Sequence, residues 1–350
     1  MENSNTLSQL LNNSGCEYKI YDLGRRIQSI DNDLFSKIEL GQQPYPYPLQ
    51  RQALLAMAYW NEKKQPWIWF LKFPLDERGL LKQSDVGNFI KYVVEAMGTR
   101  LTKTMDEETE QKLANNPYTF KPKEDKLAVF HSMIRTHLAM PTSQYYEHAQ
   151  HYFTGALGWE NWQTVGLQGL TDICTRLGKE QNGVQVRKAI GHLPNEPLYG
   201  LLGALEHVDL PDKLSQKIAE MAMNICADKT PDLFLLSALV RAMAGGKKEA
   251  LMKVVDNILS SPMLSHQEVL IAIAGRSWQA LEDAQLAERF LVRLAQTGNQ
   301  NLFNQLFADL VMIPSLRMVL LPLLHGAPSE ELAQALINLQ NTTKAGAGKQ

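Results

Sequence analysis

Cysteine is scarce in this chain. Cys16, Cys174 and Cys226 are odd in number and far apart, among 350 residues. No CxxC pair and no cysteine–histidine ladder occurs, which excludes a zinc ribbon and a disulfide framework. No run approaches the ~18 apolar residues of a membrane span. The opening MENSNTLSQLLNNSG has neither a basic nor an apolar segment, so no secretory signal is expected in it. A cytoplasmic protein with no membrane contact is expected. An excess of one charge is also missing: 35 lysines and arginines face 37 acids, for a net charge of −2. Binding through phosphate neutralisation usually shows a basic excess, so a nucleic-acid partner is not favoured. No P-loop, GxGxxG, GxSxG or DxDxDG motif is present. Neither a cofactor nor a metal is expected.

What remains is ordinary globular material, 45% hydrophobic and 21% charged, ample for a core without staples. The first third alternates element types. A helix before the stop cluster Asn12–Gly15 precedes a strand in which Tyr18 and Ile20 alternate with Lys19 and Tyr21. DNDLFSKIELG reads as a helix capped by Asp31 or Asn32, striped by Leu34, Phe35 and Ile38, and stopped by Gly41. Pro44, Pro46 and Pro48, alternating with Tyr45 and Tyr47, force an extended strap. It either packs on its own domain or serves as a recognition ligand. RQALLAMAYW and PWIWFLKF, separated by five polar residues, predict an antiparallel hairpin; the first run is alanine-rich, so a helix is the competing expectation for it. Trp67, Trp69, Leu71 and Phe73 share one face of the second strand. Ile68, Phe70 and Lys72 share the other. Two apolar faces predict a central strand, or one exposed to a partner.

Pro74 ends that strand. Asp76, Glu77, Arg78 and Gly79 have the composition of a tight turn. The competing view makes Asp76, Glu77 and Arg78 an acid–base group with an arginine clamp, completed by Arg25 and Arg26. Ser84 and Asp85 then predict the cap of a helix ending at Gly98.

The stretches YDLGRRI, GQQPYPYPLQRQALLA and PWIWFLKFPLDERGLL resemble signature segments of an uncharacterised gammaproteobacterial family of unknown function. The resemblance implies a bacterial cytoplasmic protein and assigns no catalytic residue.

From Arg100 to Asp125 acids, prolines and asparagines predict a connector. Beyond it lies a repeat. Residues 167–171, 201–205, 235–239, 269–273 and 303–307 read LQGLT, LLGAL, LLSAL, VLIAI and FNQLF, each start 34 residues after the last. Val184, Ile218, Met252, Leu286 and Leu320 keep the same spacing. A 34-residue period suits two helices and two turns. Gly169, Gly203 and Ser237 at the pentad centres predict close helix approach. The tetratricopeptide and ankyrin patterns are missing, so a HEAT-like repeat is the better label. In YYEHAQHYF, His148 and His151 share a helical face, but the order EHxxH lacks metalloprotease logic. Trp159 and Trp162 offer either a recognition shelf or helix packing, and Lys247–Lys248 and Arg187–Lys188 suggest solvated helix ends.

The fold class expected is α+β: a small N-terminal α/β domain (1–99) with an antiparallel hairpin, a connector (100–125), an all-α HEAT-like solenoid (126–340) and a disordered tail (341–350). The function expected is a scaffold or adaptor holding a protein partner. Exposed Arg25, Arg26, Trp67, Trp69 and Arg78, beside Asp76 and Glu77, are the candidate binding residues. The alternatives are an enzyme centred on residues 76–78 and an RNA-associated factor.

Overall fold

The computed structural model describes residues 5–98, 101–102, 111, 113, 116–324, 326 and 329–347, with side chains to 342. It separates into two compact units, residues 1–130 with 312–314, and residues 131–311 with 315–350.

The first unit is built on a four-stranded antiparallel sheet. Strands β1 (Glu17–Asp22), β2 (Gln28–Ile30), β3 (Gln52–Trp60) and β4 (Trp67–Pro74) lie in the order β2-β1-β3-β4. The hairpin expected from the two apolar runs is β3–β4, with Leu55 opposite Leu71 and Met57 opposite Trp69. β4 is not central. It ends the sheet, and only its middle gains a neighbour: Lys72 N–H donates to Tyr118 O and Phe120 N–H to Phe70 O. Part of the expected connector thus belongs to this unit; most of the rest lies outside the described residues.

Both faces of β4 are apolar because each meets aromatic side chains. On one, Trp69 and Phe73 meet Phe89 of helix α3 (Gln83–Met97). On the other, Phe70 meets Phe130 of helix α4 (Glu124–His137). Helix α1 (Leu7–Asn13) starts on a carboxylate from helix α2 (Asn32–Glu39): Glu39 accepts from the Leu7 and Ser8 N–H groups and the Ser8 hydroxyl. Asp31 caps α2 by accepting from the Asp33 and Leu34 N–H groups. For α3 the expected cap is displaced. Lys82 is the N-cap and makes no side-chain bond, so Ser84 and Asp85 sit inside the first turn.

The second unit is helical. After α4 come α5 (Tyr146–Phe153), α6 (Leu167–Cys174), α7 (Asn182–Ala189), α8 (Asn195–Leu205), α9 (Asp212–Ala227), α10 (Leu233–Ala242), α11 (Lys248–Ser260), α12 (Gln267–Arg276), α13 (Ala284–Gln296), α14 (Gln300–Val311), α15 (Pro314–Leu323) and α16 (Glu330–Ala347). The five pentads fall on α6, α8, α10, α12 and α14, and the second series on α7, α9, α11, α13 and α15. Packing follows the alternation. α8 contacts α6, α10 contacts α8, and α12 contacts α10; in parallel α9 contacts α7, α11 contacts α9, and α13 contacts α11. At the end, α16 contacts α13 and α14. That helix also runs through most of the expected tail.

Two details depart from expectation. Gly169 is required small, since a Cβ there would lie 2.6 Å from Tyr145 O, but Gly203 has nothing within 4 Å of that point. In the second series Ile218 and Leu320 are fully buried, whereas Val184 is exposed.

Candidate functional site

The N-terminal candidates divide between turn and core. Asp76 organises the turn: its Oδ1 accepts from the Arg78 N–H (2.9 Å) and the Leu80 N–H (2.8 Å). Its N–H donates to Leu80 O, and Gly79 closes the turn at φ +83°. Arg78 Nε reaches Asp76 Oδ2 at 3.3 Å. Burial raises the Asp76 carboxyl, but the Leu80 and Arg78 bonds and the Arg78 charge together outweigh it and leave the group below its ordinary range. This is an anchored carboxylate, not an acid held near neutrality.

Arg25 and Arg26 are not on the surface: their exposures are 0% and 5%. Arg25 Nε donates to Pro48 O at 2.9 Å, and its N–H to Asp22 Oδ2. The proline–tyrosine strap explains why. Tyr45 is fully buried and its hydroxyl donates to Asp22 Oδ1 at 2.7 Å. Its N–H donates to Gly79 O, and Lys126 Nζ donates to Leu23 O and Gly24 O. The strap is packed on its own unit, and the buried arginine satisfies a carbonyl there. Arg78, by contrast, is 78% exposed along its side chain, so Arg25 and Arg78 occupy opposite environments. Trp69 is also core, at 8% exposure, and Trp67 is half-buried against the same cluster, stacked on Tyr59. The expected N-terminal binding surface therefore loses Arg25, Arg26 and Trp69.

The sites raised for the helical unit also resolve. His148 Nε2 hydrogen-bonds Thr164 Oγ1. Among the described residues no group of three His, Cys, Asp or Glu side chains is placed to hold a metal. Trp159 packs edge-on against Tyr152 and flat on His192. Lys247 and Lys248 open α11, the end where a cation opposes the helix dipole; Asp212 and Glu282 hold them there. The Cys16 thiol is buried and pushed up by that burial, away from thiolate reactivity.

Two features escaped the sequence. The first is a buried polar cluster where α4, α5 and α6 meet. Asp172, at 0% exposure, accepts from Ser132 Oγ (2.8 Å), the Ser143 N–H (2.9 Å) and Arg176 Nη1 (3.0 Å). Burial pushes this carboxyl up, but the Ser143, Ser132 and Arg176 partners hold it below its usual range. Beside it the Tyr146 hydroxyl joins Glu180, Asn182 and Gln150. Glu180 and Gln181 both adopt left-handed φ, at +47° and +60°.

The second is a set of exposed apolar side chains on alternating helices. α10 contacts α8 on one side and α12 on the other, and also meets α9 and α11. Residues 236–240 are buried, but Phe234 in its first turn is 65% exposed. The flanking helices present Tyr199 (36%) and Ile271 (40%) to solvent. Arg241 lies beside Tyr199 and pairs with Glu206, as does Arg276 at 2.8 Å. Single exposed apolar residues are ordinary; one on each of three successive helices is a candidate contact surface.

The class is thus a mostly helical α+β chain, with a four-stranded antiparallel sheet near its N-terminus. Among the described residues no helix is long and apolar enough to cross a membrane. The chain belongs to the family described as "Protein of unknown function (DUF3549)", whose model matches residues 2–340. No curated protein and no solved structure matches it.

Proposed function

We propose that the helical unit is a HEAT-like α-solenoid of about 34-residue helix pairs, and that the protein is a cytoplasmic bacterial adaptor holding a protein partner. The observation that carries the repeat is the sequence distance across which the array is bonded. Tyr146 to Glu180, Lys248 to Glu282 and Arg293 to the Leu259 carbonyl each join residues 34 apart, and Arg289 to Asp256 joins residues 33 apart. Each bond ties one helix pair to the next, as nearest-neighbour stacking requires. The adaptor role draws on the exposed Tyr199, Phe234 and Ile271 of α8, α10 and α12, with Arg241 beside Tyr199. Such residues dominate binding energetics when a partner desolvates them.

The test is purification of the tagged full-length chain from its native host at low and high salt, beside a Tyr199→Asp/Phe234→Asp/Ile271→Asp variant. The expected result is a stoichiometric, identified protein that survives high salt with the wild type, and is missing from a variant whose melting curve is unchanged. A wild type that purifies alone, or carries only nucleic acid shed at high salt, would overturn the adaptor role.

A further inference from the structure

The loop before α12 and the last turn of α13 enclose a solvent-open cavity of about 420 Å³. Its lining is Pro262, Ser265, His266, Gln267, Arg293, Gln296 and Thr297, without one carboxylate. Two hydroxyls are already committed as donors, Ser265 to Ile258 O and Thr297 to Leu294 O. Arg293 is held rigidly: Nε donates to Leu259 O at 2.8 Å and Nη1 to Gln296 Oε1 at 2.9 Å. Its Nη2 has no hydrogen-bond partner among the described residues. His266 caps α12 by accepting the Glu268 N–H on Nδ1. A neutral ring with Nδ1 as acceptor carries its proton on Nε2, so the other edge of His266 is a donor. Gln267 adds an amide. Gln296 also donates to Glu331, which keeps that carboxylate bonded to a neutral group.

The helix one period upstream provides an internal control. Where His266 caps α12, Asp232 caps α10 by accepting the Leu235 N–H at 2.9 Å. Where Arg293 stands, the earlier position is Leu259. Aspartate is among the strongest helix caps and histidine is not. The chain therefore carries a poorer cap and an added guanidinium at the same junction.

We propose that this cavity binds a phosphate monoester. Arg293 Nη2, His266 Nε2–H and the Gln267 amide offer a guanidinium charge and donors from three directions, which suit the dianionic charge and three terminal oxygens of a phosphate monoester better than the single charge of a carboxylate, and the cavity exceeds the phosphoryl group alone. The cavity stands apart from the adaptor face and does not depend on it; only the upstream comparison uses the repeat register.

The experiment is calorimetric titration of the full chain at pH 7.5 with inorganic phosphate, O-phosphoserine and a phosphoserine peptide, and with acetate as control. Wild type should bind the phosphates and not acetate. Arg293→Gln, which removes a charged donor, should weaken binding by about tenfold or more. Because Arg293 also braces Leu259, His266→Asp is the second variant. It restores the upstream cap, leaves Arg293 in place, and should abolish binding while raising the melting temperature slightly. Tighter binding of the peptide than of O-phosphoserine would identify a modified protein as the source; equal binding would identify a small phosphorylated compound. No phosphate binding, equal binding of acetate, or binding retained in His266→Asp would overturn the proposal.

Discussion

Asp22 in the sheet unit and Asp172 in the helical unit are both at 0% exposure, yet their carboxyl groups move in opposite directions. Burial raises each. At Asp22 it prevails: the Tyr45 hydroxyl, the Gly24 and Arg25 N–H groups and the Lys126 charge only moderate it, and the group stands at about 6. At Asp172 the Ser143 and Ser132 bonds and the Arg176 charge prevail, and the group falls below its ordinary value. At Asp172 a guanidinium, Arg176 Nη1, donates at 3.0 Å. The direction in which a buried carboxylate moves is set by the balance between burial and the donors and charges around it, not by its depth alone.

The largest test of this contrast removes the guanidinium. Arg176→Met leaves Asp172 buried without its cation and should cost about 3–5 kcal/mol, read from urea unfolding by far-UV circular dichroism. Loss of less than ~1 kcal/mol, the value of an exposed pair, would make the two aspartates equivalent after all.

The next test uses pH. Asp22 has a folded pKa above its unfolded value of 3.8. Its contribution to stability is therefore fully present below that value and is lost as pH rises to about 6. Asp22→Asn should remove this loss, so the variant gains on the wild type by roughly 3 kcal/mol between acid and neutral pH. Asp172 has the reverse sign: its contribution is present at neutral pH and disappears on acidification. Asp172→Asn should therefore lose on the wild type at neutral pH and approach it in acid. Parallel stability–pH curves for the two variants would break the comparison.

The smallest effect concerns the turn. Asp76→Ala removes an acceptor for two backbone N–H groups at an exposed site. It should cost about 1 kcal/mol at neutral pH, like the loss of a helix cap, and less in acid, because the folded carboxyl is held below its ordinary range.

The hairpin was legible because two apolar runs flank a polar turn, and the helical character of the second unit because apolar residues recur there at helical spacing. The depth of Arg25 was not. Arginine defaults to the surface, and nothing local in YDLGRRI shows that a strap will bring the carbonyl of Pro48, 23 residues later, to it. β4 was misjudged because apolarity on both faces reports cover above and below, not neighbours at the edges. Helices α3 and α4 provide that cover. Phe234 was hidden for a related reason. LFLLSALVRA is apolar around more than one stripe, so a pattern of core residues masked the one that faces water. The width of that band was the available signal.

The free edges of the sheet have a further consequence. β2 has three residues, and along β4 the carbonyl of Phe70 and the amide of Lys72 are already bonded by Phe120 and Tyr118. A short strand and an occupied edge are what keep sheets from recruiting other sheets. This protein is poorly suited to fibril-like growth or strand exchange at those positions, because a visiting chain finds the middle of β4 already bonded by the chain's own backbone.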